Sequence, residues 1–263
     1  KQLALPSCEA MEPNQGGIIL GKDNNWYFLT HHGTGDWSGR IVSLLPVTWV
    51  QDWPIPGEVL PQNIGTMKWD GKIPFKHTEK LSIKRSDDFD EDCLAPQWQW
   101  NYQPRKDYFS LTERPGWLRL KAYRPLETNN LLKAGNTLTQ RTFRKQNNDV
   151  TIKMDISNMQ DGQKNGLCHF SSQHSAIGIV KEEDACYLEY RKNGNITKGI
   201  QIHSEFVWFR TEWGMDGKSQ YYYSLDGDNF LPFGEKYQLT WGNYRGDRIG
   251  IYCFNDKKET GSV

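Results

Sequence analysis

Apolar and polar residues alternate along most of this chain, and apolar positions almost nowhere return at the spacing of a helix face. The pattern predicts strands, and an all-β protein. Early strands are expected at 17–21, 26–31 and 40–49, with Lys22-Asp23-Asn24-Asn25 as the turn between the first two. That makes a short meander of three strands. Pro54, Pro56, Pro61 and Pro74 then alternate with Gly57, Gly65 and Gly71, a composition that breaks elements and suits a connector. The expected organisation is a first unit at 1–57, a linker at 58–84 and a second domain at 85–263.

The second domain carries the denser strand signal. Segments 108–112 and 117–122 flank Glu113-Arg114-Pro115-Gly116, where Pro followed by Gly suits the two central positions of a type II turn. Segment 150–157 alternates Val, Ile, Met and Ile with Thr, Lys and Asp, which gives one buried and one wet face. Further strands are expected at 176–180, 186–192, 196–203, 206–212, 220–225, 237–242 and 248–254. Asn193-Gly194 and Asp226-Gly227 read as tight turns between pairs of them. So many strands with no helix between them predict an antiparallel sandwich of two sheets. Residues 259–263 look like the start of another strand.

Composition narrows the class of partner. The 263 residues carry 32 Lys and Arg against 32 Asp and Glu, so the chain has no basic footprint for nucleic acid or an anionic membrane. A neutral partner is the default. No apolar stretch approaches the roughly 20 residues needed to span a bilayer. Eleven Trp, 12 Tyr and 11 Phe supply flat apolar faces with polar edges, which suit sugar rings as well as cores. The five cysteines contain no CxxC pair, an argument for mostly free, buried thiols rather than a zinc site or disulfide framework. Lys1 stands where an initiator Met is absent, so the start reads as cut or processed, and a secreted or periplasmic location is favoured.

No self-contained catalytic set appears. Asp87-Asp88-Phe89-Asp90-Glu91-Asp92 could gather a structural calcium ion, but it lacks the ligand spacing and glycine of a known loop and reads as a solvated acidic turn. The histidines show no metal-hydrolase spacing, and no G-x-S-x-G elbow, P-loop or dinucleotide fingerprint occurs. No metal ligands are assigned and no cofactor is required. One arginine stands out. Arg40 heads the apolar run Ile41-Val42-Ser43-Leu44-Leu45-Pro46-Val47-Thr48-Trp49, where its fork of donors suits the hydroxyls or carboxylates of a ligand. The plain alternative is a solvated arginine beside a core strand.

Pro13-Asn14-Gln15-Gly16-Gly17-Ile18-Ile19, Trp26-Tyr27-Phe28, Gly39-Arg40 and the stretch from Leu45-Pro46-Val47-Thr48-Trp49 to Trp53-Pro54 together resemble the last blade of the five-bladed propeller in glycoside hydrolase family 43. The remainder resembles the C-terminal concanavalin A-like jelly roll of its β-xylosidase and α-L-arabinofuranosidase members. The carrying motifs are Pro96-Gln97-Trp98-Gln99-Trp100-Asn101, the stretch from Ser110 to Leu120, Asn136-Thr137-Leu138-Thr139-Gln140-Arg141 and Tyr223-Ser224-Leu225-Asp226-Gly227.

The resemblance implies a partial propeller followed by a β-sandwich, within an enzyme that releases xylose or arabinofuranose from xylan, arabinoxylan or arabinan by inversion. Its three carboxylates, an Asp base, an orienting Asp and a Glu acid, belong to earlier blades, so no catalytic residue is assigned here and the chain alone is expected to be inactive. Arg40 matches the family arginine that reaches substrate. Asn14 or Gln15 falls where many members carry a His-Gln pair near the pocket floor. Asn14 replaces that His, so direct metal ligation does not carry over. His32 lies near another pocket-facing position, and loop 158–166 reads first as a surface turn, with reach to the pocket rim as the alternative. A lone blade leaves both faces uncovered, so association through the incomplete propeller is expected. The competing reading is a non-catalytic sandwich that binds carbohydrate or supports the pocket. A lectin-like protein unrelated to hydrolysis ranks below both, because it leaves the Gly39-Arg40 block unexplained.

Overall fold

The computed structural model describes residues 4–5, 13–66, 71, 74, 86–242 and 245–263, without the side chains of residues 4, 5, 13 and 14. The chain divides into two compact units, Lys1–Lys84 and Arg85–Val263. Strands dominate both, and no helix among the described residues is long and apolar enough to cross a membrane.

The first unit holds a four-stranded antiparallel meander and a small three-stranded sheet. Strand β1 (Ala4–Leu5) belongs to the small sheet, while β2 (Pro13–Leu20), β3 (Trp26–Gly33), β4 (Arg40–Val50) and β5 (Trp53–Pro56) form the meander in chain order. The expected three strands are therefore joined by a fourth. Gln51 and Asp52 both take positive φ, 50° and 63°, and turn the chain back so that Trp53 pairs with Val50. Segment 58–66, expected as connector, carries β6 (Glu58–Leu60) and β7 (Ile64–Thr66), which pair with each other across Pro61–Asn63. Pro61 and the positive φ of Gln62 and Asn63 shape the reversal, so the breakers here mark a turn between very short strands.

The second unit is a sandwich. Its larger sheet has seven antiparallel strands in the order β16-β15-β14-β13-β21-β11-β8. In chain order these are β8 (Gln99–Trp100), β11 (Thr137–Arg141), β13 (Gln163–Phe170), β14 (His174–Glu182), β15 (Ala185–Lys192), β16 (Asn195–Ile202) and β21 (Arg248–Asn255). The smaller sheet runs β12 (Asn147–Asp155), β17 (Phe206–Gly214), β18 (Lys218–Ser224) and β19 (Leu231–Pro232), with β20 (Tyr237–Gln238) also on β18. Val207, Phe209 and Tyr221 of the smaller sheet meet Leu167, Ile177, Ile179, Leu188 and Ile249 of the larger one in the main core. The far face of the larger sheet is covered too, since Leu131 and Ala134 pack on Cys168, Phe170, Ala176, Tyr252 and Phe254. Burial on both faces explains why β13 and β14 are buried almost throughout.

A separate hairpin joins β9 (Phe109–Ser110) to β10 (Arg119–Leu120). The Trp117 amide donates to the Arg114 carbonyl at 3.1 Å and Gly116 has φ 79°, as a type II turn at Pro115-Gly116 demands. The flanking strands are shorter than expected because Ser110 Oγ accepts from the Thr112 and Glu113 amides and ends the ladder early. Asn193-Gly194 turns tightly, both at positive φ. Asp226-Gly227 does not. It lies in a longer loop between β18 and β19, where the Asp226 carboxylate accepts from the Asp228 and Asn229 amides. The expected terminal strand is a single bridge, Ser262 to Lys121. Of loop 158–166, the last four residues belong to β13, and Met159 is buried in the main core. Among the described cysteines Cys168, Cys186 and Cys253 are free and buried and Cys93 is free and exposed, while Cys8 lies outside the described residues. Burial pushes the Cys253 thiol up to about 12, so it stays protonated.

A fully buried polar array crosses the sandwich. His169 Nδ1 of β13 lies 3.0 Å from Asp247 Oδ1, and Nε2 lies 3.0 Å from Thr211 Oγ1 of β17. A proton on Nδ1 serves the carboxylate and leaves Nε2 to accept from Thr211. The His169 amide donates to the Tyr221 hydroxyl at 2.8 Å, and that hydroxyl donates to the Ser175 carbonyl at 2.8 Å. Removing one member leaves its buried partners unsatisfied, at about 1 to 3 kcal/mol. His169→Leu and Asp247→Asn are each expected to lower unfolding free energy by about that much, read from urea midpoints.

His174 gives the unit a pH dependence. Burial, reinforced by Arg191 on β15, pushes its pKa from 6.5 down to about 4. The unfolded chain therefore takes up the proton first as pH falls. The contribution to stability is complete above pH 6.5 and is lost between there and pH 4, about 3 kcal/mol in all. Urea unfolding at stepped pH should show this slope, and His174→Gln should flatten it relative to the parent chain.

Candidate functional site

The sequence-chosen residues gather at one end of the four-stranded meander. Pairing puts Pro13 opposite His32, His32 opposite Ile41 and Gly33 opposite Arg40. The register of β2 slips between Pro13 and Gly16, so Asn14 and Gln15 occupy a β-bulge at that same end. A bulge re-aims its side chains and is a common feature beside functional sites. Gln15 is exposed, and its carbonyl accepts from the Thr30 hydroxyl at 3.2 Å. Asn14 is placed by its backbone alone, and its side chain lies outside the described residues.

Arg40 is set by the loop before it. The Thr34 amide donates to the Gly39 carbonyl at 2.9 Å, the Thr34 hydroxyl donates to Asp36 Oδ1 at 2.8 Å, and the same carboxylate accepts from the Ser38 amide. Trp37 is buried and Gly39 takes φ 74°, a conformation glycine adopts freely. This closed loop delivers the chain into β4 with Arg40 as its first residue, half-buried.

The alternation of side chains along a strand separates two of the chosen residues. Arg40 and His32 stand on consecutive rows, so they project from opposite faces of the sheet. His31 shares the face of Arg40, together with Val42. His32 instead shares the face of Ile41 and Ser43, and its Nδ1 lies 2.5 Å from Ser43 Oγ. Burial, followed by the neighbouring His31, holds the His32 pKa below its ordinary value, so the ring is neutral. His32 Nε2 and His31 Nδ1 are buried with no hydrogen-bond partner. The sequence alone does not single out His31, because its row relative to Arg40 is set by the register of the folded sheet. Both faces also expose large apolar side chains, Leu29, Val42 and Trp53 with Arg40 and Ile18, Leu20, Trp26, Ile41 and Trp49 opposite. A single meander in this state has the edges and faces of one blade from a larger array.

The acidic cluster has a structural task. Asp87 Oδ2 accepts from Trp98 Nε1 at 2.7 Å and Oδ1 from the Phe89 amide, which fastens the start of the sandwich. Among the described residues no three His, Cys, Asp or Glu side chains are arranged to hold a metal ion. The Thr211–His169–Asp247 set has the members of a nucleophile, base and acid, but all three are fully buried and no substrate atom reaches them.

Residues 86–263 match the family of β-xylosidase C-terminal concanavalin A-like domains. The chain belongs to that family. A β-xylosidase of Formosa agariphila is 33% identical over 95% of this chain and 46% of its own length, and a putative β-xylosidase of Xylanibacter ruminicola is 31% identical over 90% and 44%. Among solved structures, a bifunctional GH43-CE protein of Bacteroides eggerthii superposes with a TM-score of 0.78 at 27% identity, covering 95% of this chain and 33% of that one. These matches extend through the meander as well as the sandwich, and this family 43 chain spans under half the length of the curated relatives it matches.

Proposed function

We propose that this chain is part of a glycoside hydrolase that removes xylose or arabinofuranose from xylan, arabinoxylan or arabinan with inversion, and that Arg40 contacts the sugar. The observation that supports this most is the match across 95% of the chain to a relative named β-xylosidase. A relative from Bacteroides ovatus is named a non-reducing end α-L-arabinofuranosidase, which keeps both sugars in view. In an inverting mechanism one carboxylic acid protonates the leaving oxygen while a carboxylate about 6.5 to 9.5 Å away activates water. Those carboxylates are assigned to parts of the enzyme outside this chain. Arg40 supplies positioning, because a guanidinium can donate two parallel hydrogen bonds to neighbouring hydroxyls and never loses its charge. His31, on the same face, is a second candidate contact, and Gln15 at the bulge is a third. His32 supports the strand end through Ser43.

The chain alone is expected to release no nitrophenol from aryl β-xyloside or aryl α-arabinofuranoside. In a polypeptide that also carries the catalytic carboxylates, Arg40→Ala should lower kcat/KM roughly a hundredfold, the size of a lost transition-state hydrogen bond. Undiminished turnover in that variant overturns the role of Arg40, and turnover by this chain abolished at one of its own carboxylates overturns the whole reading.

The uncovered blade faces support association. Val42 is 75% and Trp53 68% exposed, and both stand on the face of Arg40. Sedimentation velocity should show the chain self-associating as concentration rises, and the double variant Val42→Lys, Trp53→Lys should stay monomeric further up the series.

A further inference from the structure

The outer face of the five-stranded sheet forms a trough of about 910 Å³, large enough for a ligand site. Along β17, Val207, Phe209, Thr211 and Trp213 are buried, so the alternate residues Trp208, Arg210 and Glu212 face outward. Register then sets two rows across the sheet. Thr151, Arg210, Tyr222 and Pro232 form one, and Asp149, Glu212 and Gln220 form the next.

The rows are pre-arranged for polar recognition. Arg210 Nε donates to Thr151 Oγ1 at 2.9 Å, and its guanidinium lies 3.7 Å from the centre of the Phe230 ring, so the fork is held from two sides. Glu212 stands on the next row of the same face, diagonal to Tyr222 and beside Gln220. Around them the charges balance, with Arg210, Lys218 and Lys236 against Asp149, Glu212 and Asp216. A strongly charged ligand gains no net attraction there. A neutral ligand rich in hydroxyls gains from both kinds of group, since the cations donate, the carboxylates accept, and the Gln220 side-chain carbonyl accepts while its amide is held by the Tyr221 and Gly234 carbonyls. Half-buried Tyr222 and exposed Pro232 add a flat apolar strip for the carbon face of a sugar ring.

We propose that this trough binds a neutral oligosaccharide segment, so that the sandwich holds polysaccharide through residues of its own. The identity of the glycan as a pentose polymer rests on the hydrolase reading above. The site itself rests on Arg210, Glu212, Gln220 and Tyr222.

The test is calorimetric titration of the chain with xylohexaose, and with an oligogalacturonate as a charged comparison. Two variants probe the trough. Glu212→Ala removes an exposed acceptor, and Gln220→Trp fills the second row. Thermal unfolding of each shows that the fold is kept. The expected result is binding of xylohexaose by the parent chain, weakened about tenfold or more in both variants, with the charged oligomer bound less well. Three results overturn the proposal: no binding of xylohexaose by the parent chain, unchanged binding in both variants, or preference for the oligogalacturonate. Failure of the hydrolase reading appears elsewhere, as turnover insensitive to Arg40, so the two can be told apart.

Discussion

The contact on which the sandwich depends is polar. His169 is fully buried at the middle of the larger sheet, yet its ring and amide reach Asp247, Thr211 and Tyr221, and the last two belong to the smaller sheet. Apolar packing alone is non-directional and would tolerate a slide of one sheet over the other. The hydrogen bonds of His169 are satisfied in one register only. Burial raises the Asp247 pKa, so the carboxylate is itself uncomfortable in its site and relies on the ring and on the Thr240 amide. Trp213 and Tyr237 flank the imidazole, Trp213 edge-on and Tyr237 stacked.

The same array explains what sequence pattern reveals and what it hides. Strands β12 and β17 were legible because each has a wet face, which leaves a period of two in the residues. Strand β13 was not, although it lies at the heart of the larger sheet. Its residues Gln163, Asn165, Gly166 and His169 look like a loop, since a strand covered on both faces loses the alternation. Gly166 faces Gly178 across the ladder, and a Cβ on Gly178 would come within 2.4 Å of the Tyr252 hydroxyl. Gly178 is space for a buried tyrosine and for the Asn165 carbonyl, and Gly166 is space for the backbone of β14 at Ile177 and Gly178. Only the tertiary partners distinguish that role from a turn.

In the meander, the residues at the working end were legible and their facing was not. The bulge at Asn14 and Gln15, the end of β3 and the head of β4 meet because the strands are antiparallel and in sequence order. Which histidine accompanies Arg40 depends on one row of register, and a shift of one residue turns a side chain to the other face. The dipeptide His31-His32 gives no hint of this, because either residue can stand at a strand end. The closed loop from Thr34 to Gly39 decides it, by fixing how many residues separate the last row of β3 from the first of β4.

The two units thus solve opposite problems with the same secondary structure. The sandwich covers both faces of its larger sheet with its own side chains and leaves the outer face of its smaller sheet open for polar contacts. The meander exposes apolar side chains on both faces and leaves a ring nitrogen of each histidine without a partner. Uncovered apolar faces are costly, and they persist where something else supplies the cover. In the proposed reading neighbouring blades complete this one, and the bulge, the histidine and the arginine stand together at one end of its sheet. That is also why its contacts are read from the register of the sheet rather than from a finished pocket.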